Sequence, residues 1–115
     1  MNRVLMLVSV AAALALSTSA FAKGNAADGQ KKAAACFACH GADGNATDPQ
    51  YPRLAGQYAD YLEQALHEYK NGNRKNPIMG GFAATLSEQD IQDVAAYFSG
   101  LQGKIRDLHG EVAGN

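Results

Sequence analysis

Five consecutive residues, Cys36-Phe37-Ala38-Cys39-His40, constrain this chain more than anything else in it. Two thiols at this spacing can each add across one vinyl group of a haem, and the histidine that follows is then placed beneath the iron as an axial ligand. A chain that does this must wrap a flat, apolar ring. Two other chemistries use the same residue types. A redox dithiol also takes the form C-x-x-C, in a βαβ surround. A zinc site takes about four ligands, of which Cys36, Cys39 and His40 supply three. These are the chain's two cysteines. A secreted disulfide framework normally shows more, spread along the sequence, so the pair has a chemical purpose and not a stapling one.

The chain has 115 residues, enough for one domain. Its start reads as an export leader. Arg3 gives a positive beginning, Val4 to Leu16 is apolar except for Ser9, and Ala20-Phe21-Ala22 has the A-x-A form cut by signal peptidase. Residues 1–22 are therefore expected to be removed as a signal peptide, leaving 93 of the 115 residues as the mature domain 23–115. The apolar run of 13 residues is short for a membrane span, which needs about 20. No second long apolar segment follows, so no span is expected after leader removal. The leader carries one of ten basic residues and none of the eleven acidic ones, so the mature net charge is −2. No basic stripe exists to neutralise phosphates, and nucleic-acid binding is unsupported. With no Trp and much Ala, so small a domain has little to fill its middle. A buried porphyrin would serve as filler and staple together.

The pattern along the mature chain is helical, with no strand alternation. A first helix is expected over Ala26 to Phe37, capped by Asn25. Gly29 inside it is either a tolerated blemish or the place where another helix crosses closely. Residues 41–57 hold Gly41, Gly44, Pro49, Pro52 and Gly56 and read as loop. Tyr58, Tyr61, Leu62, Ala65, Leu66 and Tyr69 recur with helical spacing and predict a second helix over Gln57 to Asn71, stopped by Gly72. Asn73 to Leu86, with Pro77, Gly80 and Gly81, reads as loop again. The last helix begins at Ser87 with Asp90 three residues on, in the manner of a capping box. It buries Ile91, Val94, Ala95, Phe98 and Leu101, and ends at Gly100 or Gly103. The polar tail, residues 104–115, has no assigned role.

A haem iron takes a second axial ligand or keeps an open position. Met79 is the sole methionine of the mature chain, 39 residues after His40. It falls in the Pro- and Gly-containing stretch read as loop, where a soft thioether can reach an iron; the bland alternative is a core gap-filler. His67 lies off the apolar face of its helix, four residues after Glu63, and His109 lies in the tail. Both read as solvated.

With these residues in view, the chain resembles the class I cytochromes c, in the short single-haem bacterial form that also occurs as one half of two-haem cytochromes c. The resemblance runs from Asn25 to Leu101. It rests on Gly29, the Cys36–Gly41 motif, Tyr51-Pro52-Arg53-Leu54-Ala55-Gly56-Gln57, the stretch from Gly72 to Met79, and Ala95-Ala96-Tyr97-Phe98. It implies an all-α fold of three to four helices wrapped around one covalent haem c. Cys36 and Cys39 would hold the haem as thioethers, and His40 and Met79 would be the axial iron ligands. Gly29 would let the first and last helices cross beside Tyr97. Pro52 would offer its carbonyl to His40. Arg53 and the tyrosines of the second helix are candidates to meet the haem carboxylates, and Asn73 or Asn76 to donate to the Met79 sulfur.

With both axial positions filled by protein, the expected function is electron transfer in the periplasm and not catalysis, by a monomer or weakly associating protein. Phe37, Ala38, Ile78, Gly80, Gly81 and Phe82 are expected to rim the exposed haem edge. The redox partner would be a terminal oxidase, a reductase complex or a periplasmic redox enzyme. The alternatives are a haem enzyme or gas sensor with an open iron site, which needs Met79 not to bind, and a thiol oxidoreductase.

Overall fold

The computed structural model describes residues 23–104. The expected leader, and the tail beyond Lys104, lie outside the described residues. Among the described residues there are five α-helices: α1 (Ala26–Lys32), α2 (Phe37–His40), α3 (Ala59–Asn71), α4 (Pro77–Ala84) and α5 (Glu88–Ser99). No strand occurs among the described residues, as expected of an all-α chain.

The first expected helix is in fact two, joined by a tighter 3-10 turn over Ala33–Cys36, and it continues through His40. Asn25 caps it, its side chain accepting from the Ala27 and Asp28 amides. Asp28 in the first turn and Lys31 and Lys32 in the last complement the helix dipole. Gly41, at a φ of 81°, ends it.

Gly29 is there because α1 crosses α5 at backbone contact. A Cβ at Gly29 would collide with the Asp93 carbonyl and press on Tyr97, and one at Gly24 would strike the Gln92 carbonyl. The crossing is closed by charge. Asp93 is almost wholly buried on α5. It accepts from the Asn25 amide at 2.7 Å, from Lys32 Nζ at 2.7 Å and from Gln89 Nε2 at 2.8 Å. Lys32 also reaches Asp90 at 2.7 Å. Asp90 meanwhile completes the capping box with Ser87 that starts α5.

α3 starts two residues later than its periodicity suggests and is ended by Gly72 in the left-handed region, φ 82°. The stretch 73–86, expected as loop, contains α4. Asn76 caps it by accepting from the Ile78 and Met79 amides, and Pro77 occupies its first turn. Both are favoured helix-start residues, and they outweigh the poor helix propensity of Gly80 and Gly81.

Ala33, Leu62, Val94, Ala95, Tyr97 and Phe98 form the core, with Phe37, Leu54, Leu66 and Leu101 packed against it. The segment between α2 and α3 is pinned rather than free. The Gly44 carbonyl accepts from the Leu54 and Ala55 amides, the Tyr97 hydroxyl donates to the Ala42 carbonyl at 2.7 Å, and the Gly56 amide donates to Phe98.

The Asp90–Lys32–Asp93 cluster makes stability acid-sensitive. Lys32 and the Ser87 cap hold the Asp90 carboxyl down at about 2. The Asn25 amide, then Lys32, hold Asp93 below its ordinary value. Carboxyls depressed in the folded state stabilise it fully above their unfolded pKa of about 3.9 and lose that contribution as pH falls toward the folded value. The thermal midpoint should therefore drop between about pH 4 and pH 2. Asp93→Ala should lower stability by about 2 kcal/mol at neutral pH and flatten that drop, as measured by denaturant unfolding at a series of pH values.

Candidate functional site

The helical turn Cys36–His40 places its three functional side chains on one face, since positions i, i+3 and i+4 of a helix are neighbours. Cys36 and Cys39 are half-buried free thiols and His40 is buried. Burial pushes the Cys36 thiol pKa up, with Cys39 adding to it. Reactive redox dithiols have it pushed down. His40 Nδ1 lies 2.8 Å from the Pro52 carbonyl oxygen. A carbonyl can only accept, so Nδ1 carries the proton and Nε2 keeps its lone pair for a ligand. The loop between α2 and α3 thus delivers Pro52, as the resemblance implied.

These side chains line one wall of a cavity of about 560 Å³. The face of α3 supplies Tyr61, Leu62, Ala65, Leu66 and Tyr69, and α5 supplies Val94, Ala95 and Phe98. From α4 come Met79, Ile78 and Phe82. The structure therefore brings Cys36, Cys39, His40 and Met79 to a single cavity. Met79 reaches it from a capped helix, not from a loop.

The donor set fits a haem. The floor is apolar, two thiols stand three residues apart, and an imidazole nitrogen and a thioether share the space. Two guanidinium groups, Arg53 and Arg74, line the cavity with no Asp or Glu among the lining residues. That charge pattern suits a ligand whose apolar ring carries two carboxylates. A bare metal ion fits worse: among the described residues no group of three His, Cys, Asp or Glu side chains is placed to hold one.

Several expectations need correction. Phe37 does not rim the cavity; it is half-buried and packs on Tyr97 and Phe98, with ring centroids 5.9 and 6.4 Å away. Ile78 and Phe82, by contrast, are exposed and do line the mouth. Asn73 does not line the cavity; Asn76 does, beside Met79, and its oxygen also caps α4 by accepting from the Met79 amide. His67 is half-exposed and faces Glu88 Oε2 at 3.3 Å, across to α5, rather than Glu63. His109 lies outside the described residues. Arg53 lines the cavity and donates through Nε to the Ala46 carbonyl at 3.1 Å.

Two residues in the wall had no assigned part. Arg74 lies over the Tyr69 ring, 4.9 Å from its centroid, and hydrogen bonding to Tyr61 pushes its pKa further up. Tyr51 meets His40 edge-on, centroids 6.3 Å apart, with its hydroxyl beside the Cys39 thiol, which raises the phenol's pKa. A sequence signal existed for Arg74, as the first cation after the Gly72 stop. Nothing in the sequence marks which side of the α3–α4 connection it occupies.

Asn76 holds the start of the helix that carries Met79. Asn76→Ala should lower stability by about 1 kcal/mol and speed amide exchange at Ile78 and Met79 more than at Val94, as read by NMR.

Residues 26–102 match the family model described as Cytochrome c. The chain is 50% identical over 94 residues to cytochrome c4 of Pseudomonas aeruginosa, covering 82% of this chain and 47% of that protein. It is 47% identical over 79 residues to cytochrome c-554(548) of Halomonas halodenitrificans, covering 66% of this chain and 95% of that one. The fold superposes on the crystal structure of reduced recombinant cytochrome c4 from Pseudomonas stutzeri with a TM-score of 0.68 and 44% identity, covering 71% of this chain and 48% of that one. The chain spans about half the length of both cytochrome c4 proteins.

Proposed function

The chain belongs to the cytochrome c family, with one Cys36-x-x-Cys39-His40 site for covalent haem c, and from that premise we propose that it is a single-electron carrier of the periplasm whose iron is held by His40 and Met79. The observation that carries this reading is the pairing of His40 and Met79 on one cavity, with His40 Nδ1 committed to Pro52 at 2.8 Å.

When bound, the haem supplies the one-electron Fe(III)/Fe(II) couple. Everything else is done by the chain. Cys36 and Cys39 fix the ring by thioethers. Pro52 fixes the His40 tautomer and ring orientation and raises the basicity of Nε2. Met79 supplies a soft thioether that raises the reduction potential. Leu62, Leu66, Val94 and Phe98 keep water from the ring. With His40 and Met79 both holding the iron, a substrate would find no access to it, and the protein would serve as a carrier and not as an enzyme. Exposed Ile78 and Phe82 at the mouth are suited to a small transient docking patch of the kind redox encounters use. Its partner would be a terminal oxidase, a reductase complex or a periplasmic redox enzyme. The leader-like residues 1–22 support export, and no helix among the described residues is long and apolar enough to cross a membrane.

The absorption spectrum of the oxidised holoprotein should show a methionine-to-ferric charge-transfer band. High-spin iron without that band would favour an open-site haem enzyme or gas sensor. Met79→Ala should keep the covalent haem, open the iron to external ligands, and lower the potential by on the order of 100 mV or more, within the roughly 0.8 V that axial ligands span. Cys36 and Cys39 should resist thiol reagents in the holoprotein; labelling of both would restore the thiol-oxidoreductase reading.

A further inference from the structure

Just past α5, residues 102–104 lie against the segment between α2 and α3, in a contact that neither the attachment motif nor the axial pair uses. Asn45 holds them from one side. Its Nδ2 donates to the Gln102 carbonyl at 3.0 Å and to the Asp43 carbonyl at 3.2 Å, and its Oδ1 accepts from the Lys104 amide at 3.0 Å. Both donors and the acceptor of the side chain are engaged. An ionised Asp, which has no donor, cannot reproduce that pattern, and Ala offers none of it. Gly103 meets the other side: a Cβ there would fall 2.0 Å from the Ala55 carbonyl oxygen and 3.3 Å from the Gly56 Cα. The segment so gripped is the one that carries Pro52. Its two limbs are closed by the Gly44 carbonyl, which accepts from the Leu54 amide at 2.8 Å and the Ala55 amide at 3.0 Å. Asn45 follows Gly44 on one limb and Ala55 lies on the other, so residues 102–104 bridge both limbs where they close. Pro52 and Arg53 at the tip are exposed. Apart from the Arg53 bond to Ala46, the tip takes its position from that base.

We propose that Asn45 and Gly103 form a clasp through which the chain after α5 holds the Pro52 carbonyl on His40, so that both are positioning residues for the axial histidine. The proposal rests on the haem-carrier reading above. The bond from His40 Nδ1–H to Pro52 raises the basicity of the ligating nitrogen. A more basic ligand favours Fe(III), so a firm bond keeps the potential lower and a loosened one lets it rise. Asn45, Gln102, Gly103 and Lys104 do not line the cavity. Their influence therefore reaches the iron through Pro52 and His40, not through the ring or Met79.

Two measurements on the wild-type, N45A, G103A and S87A holoproteins test this: solvent exchange of His40 Nδ1–H in the reduced protein by NMR, and potentiometric titration. None of the three substitutions changes the formal charge. N45A should speed the exchange by about tenfold, as the loss of one local closing contact would. It should also shift the couple toward Fe(II) by about threefold, which for one electron is about 28 mV upward. G103A removes no donor or acceptor but presses on Ala55, and it should move both readings in the same direction. S87A takes away the cap at the opposite end of α5 and should lower the thermal midpoint while leaving exchange and potential at their wild-type values. Wild-type exchange and potential in both N45A and G103A would overturn the clasp. An S87A variant that reproduces both changes would overturn it too, since general loss of stability would then account for them. Failure of the underlying reading shows separately: the wild type itself would then lack covalent haem or the methionine-to-ferric band.

Discussion

The contact between α1 and α5 is the constraint on which the rest of the structure hangs. It is a backbone-to-backbone contact, permitted because Gly29 presents no side chain to the Asp93 carbonyl and Gly24 none to Gln92. Once the two helices are that close, Asp93 is buried between them and can be tolerated only with partners. It finds the Asn25 amide, Lys32 and Gln89. Those partners fix the register of the crossing, since a slip by one residue would remove the Lys32 and Asn25 contacts together. α1 then leads through the 3-10 turn Ala33–Cys36 into α2 and the Cys36–His40 motif. The crossing therefore sets the position of the attachment motif relative to Val94, Ala95 and Phe98, which line the cavity from the other side of α5. One residue before Phe98 on α5, Tyr97 packs by Gly29 and donates to Ala42 just past His40. A single helix thus holds both ends of the motif-bearing segment.

The two walls of the cavity are built differently. The His40 wall is made of elements locked by the crossing, and His40 itself is buried with its far nitrogen fixed. The Met79 wall is α4, eight residues long, which has no comparable crossing with α5. It is held by the Asn76 cap, by packing on α3 and by the bond from Lys70 to the Leu86 carbonyl. Its outer residues Ile78 and Phe82 remain exposed. Short helices are marginal by themselves, so this wall depends more on what occupies the cavity than the other does. The chain's scarcity of large buried side chains makes the same point. Among the described residues only Phe98 and Ile91 are both large and fully buried, and Tyr61, Leu62, Ala65, Leu66 and Tyr69 of α3 line the cavity.

The parts legible in the sequence were those whose cause is local. Cys36, Cys39 and His40 act through spacing, Ser87 and Asp90 through a capping pattern, and Gly72 through its freedom to adopt a left-handed turn. Each could be read from a few neighbouring residues. The misread parts depended on competition or on distance. Pro77, Gly80 and Gly81 were read as breakers, whereas Asn76 and Pro77 together start a helix, and that changed Met79 from a loop residue into a helical one. Phe37 sits beside Cys36 in sequence, yet the turn that aims Cys36 and His40 at the cavity aims Phe37 at Tyr97 and Phe98. His67 reads as a solvated residue of its own helix, but α5 brings Glu88 to it. The buried Asp93 gives no sequence warning, because Asn25 and Lys32, two of its three partners, lie 68 and 61 residues away.

Charge distribution follows the same division between local and distant causes. The chain as a whole is close to neutral, with a formal net charge of −1, yet the cavity wall has two guanidiniums and no carboxylate. The acidic residues are used elsewhere. Asp28 and Asp90 sit in first turns of helices, Asp93 closes the crossing, and Glu88 meets His67. Such an arrangement leaves two exposed cations and no carboxylate on the wall of the site without making the rest of the surface basic. An apolar cavity amplifies that bias, because charges beside a low-dielectric wall are less screened than charges in water. The bias suits an anionic ligand edge at the mouth, where a carboxylate would meet fixed cations and no like charge.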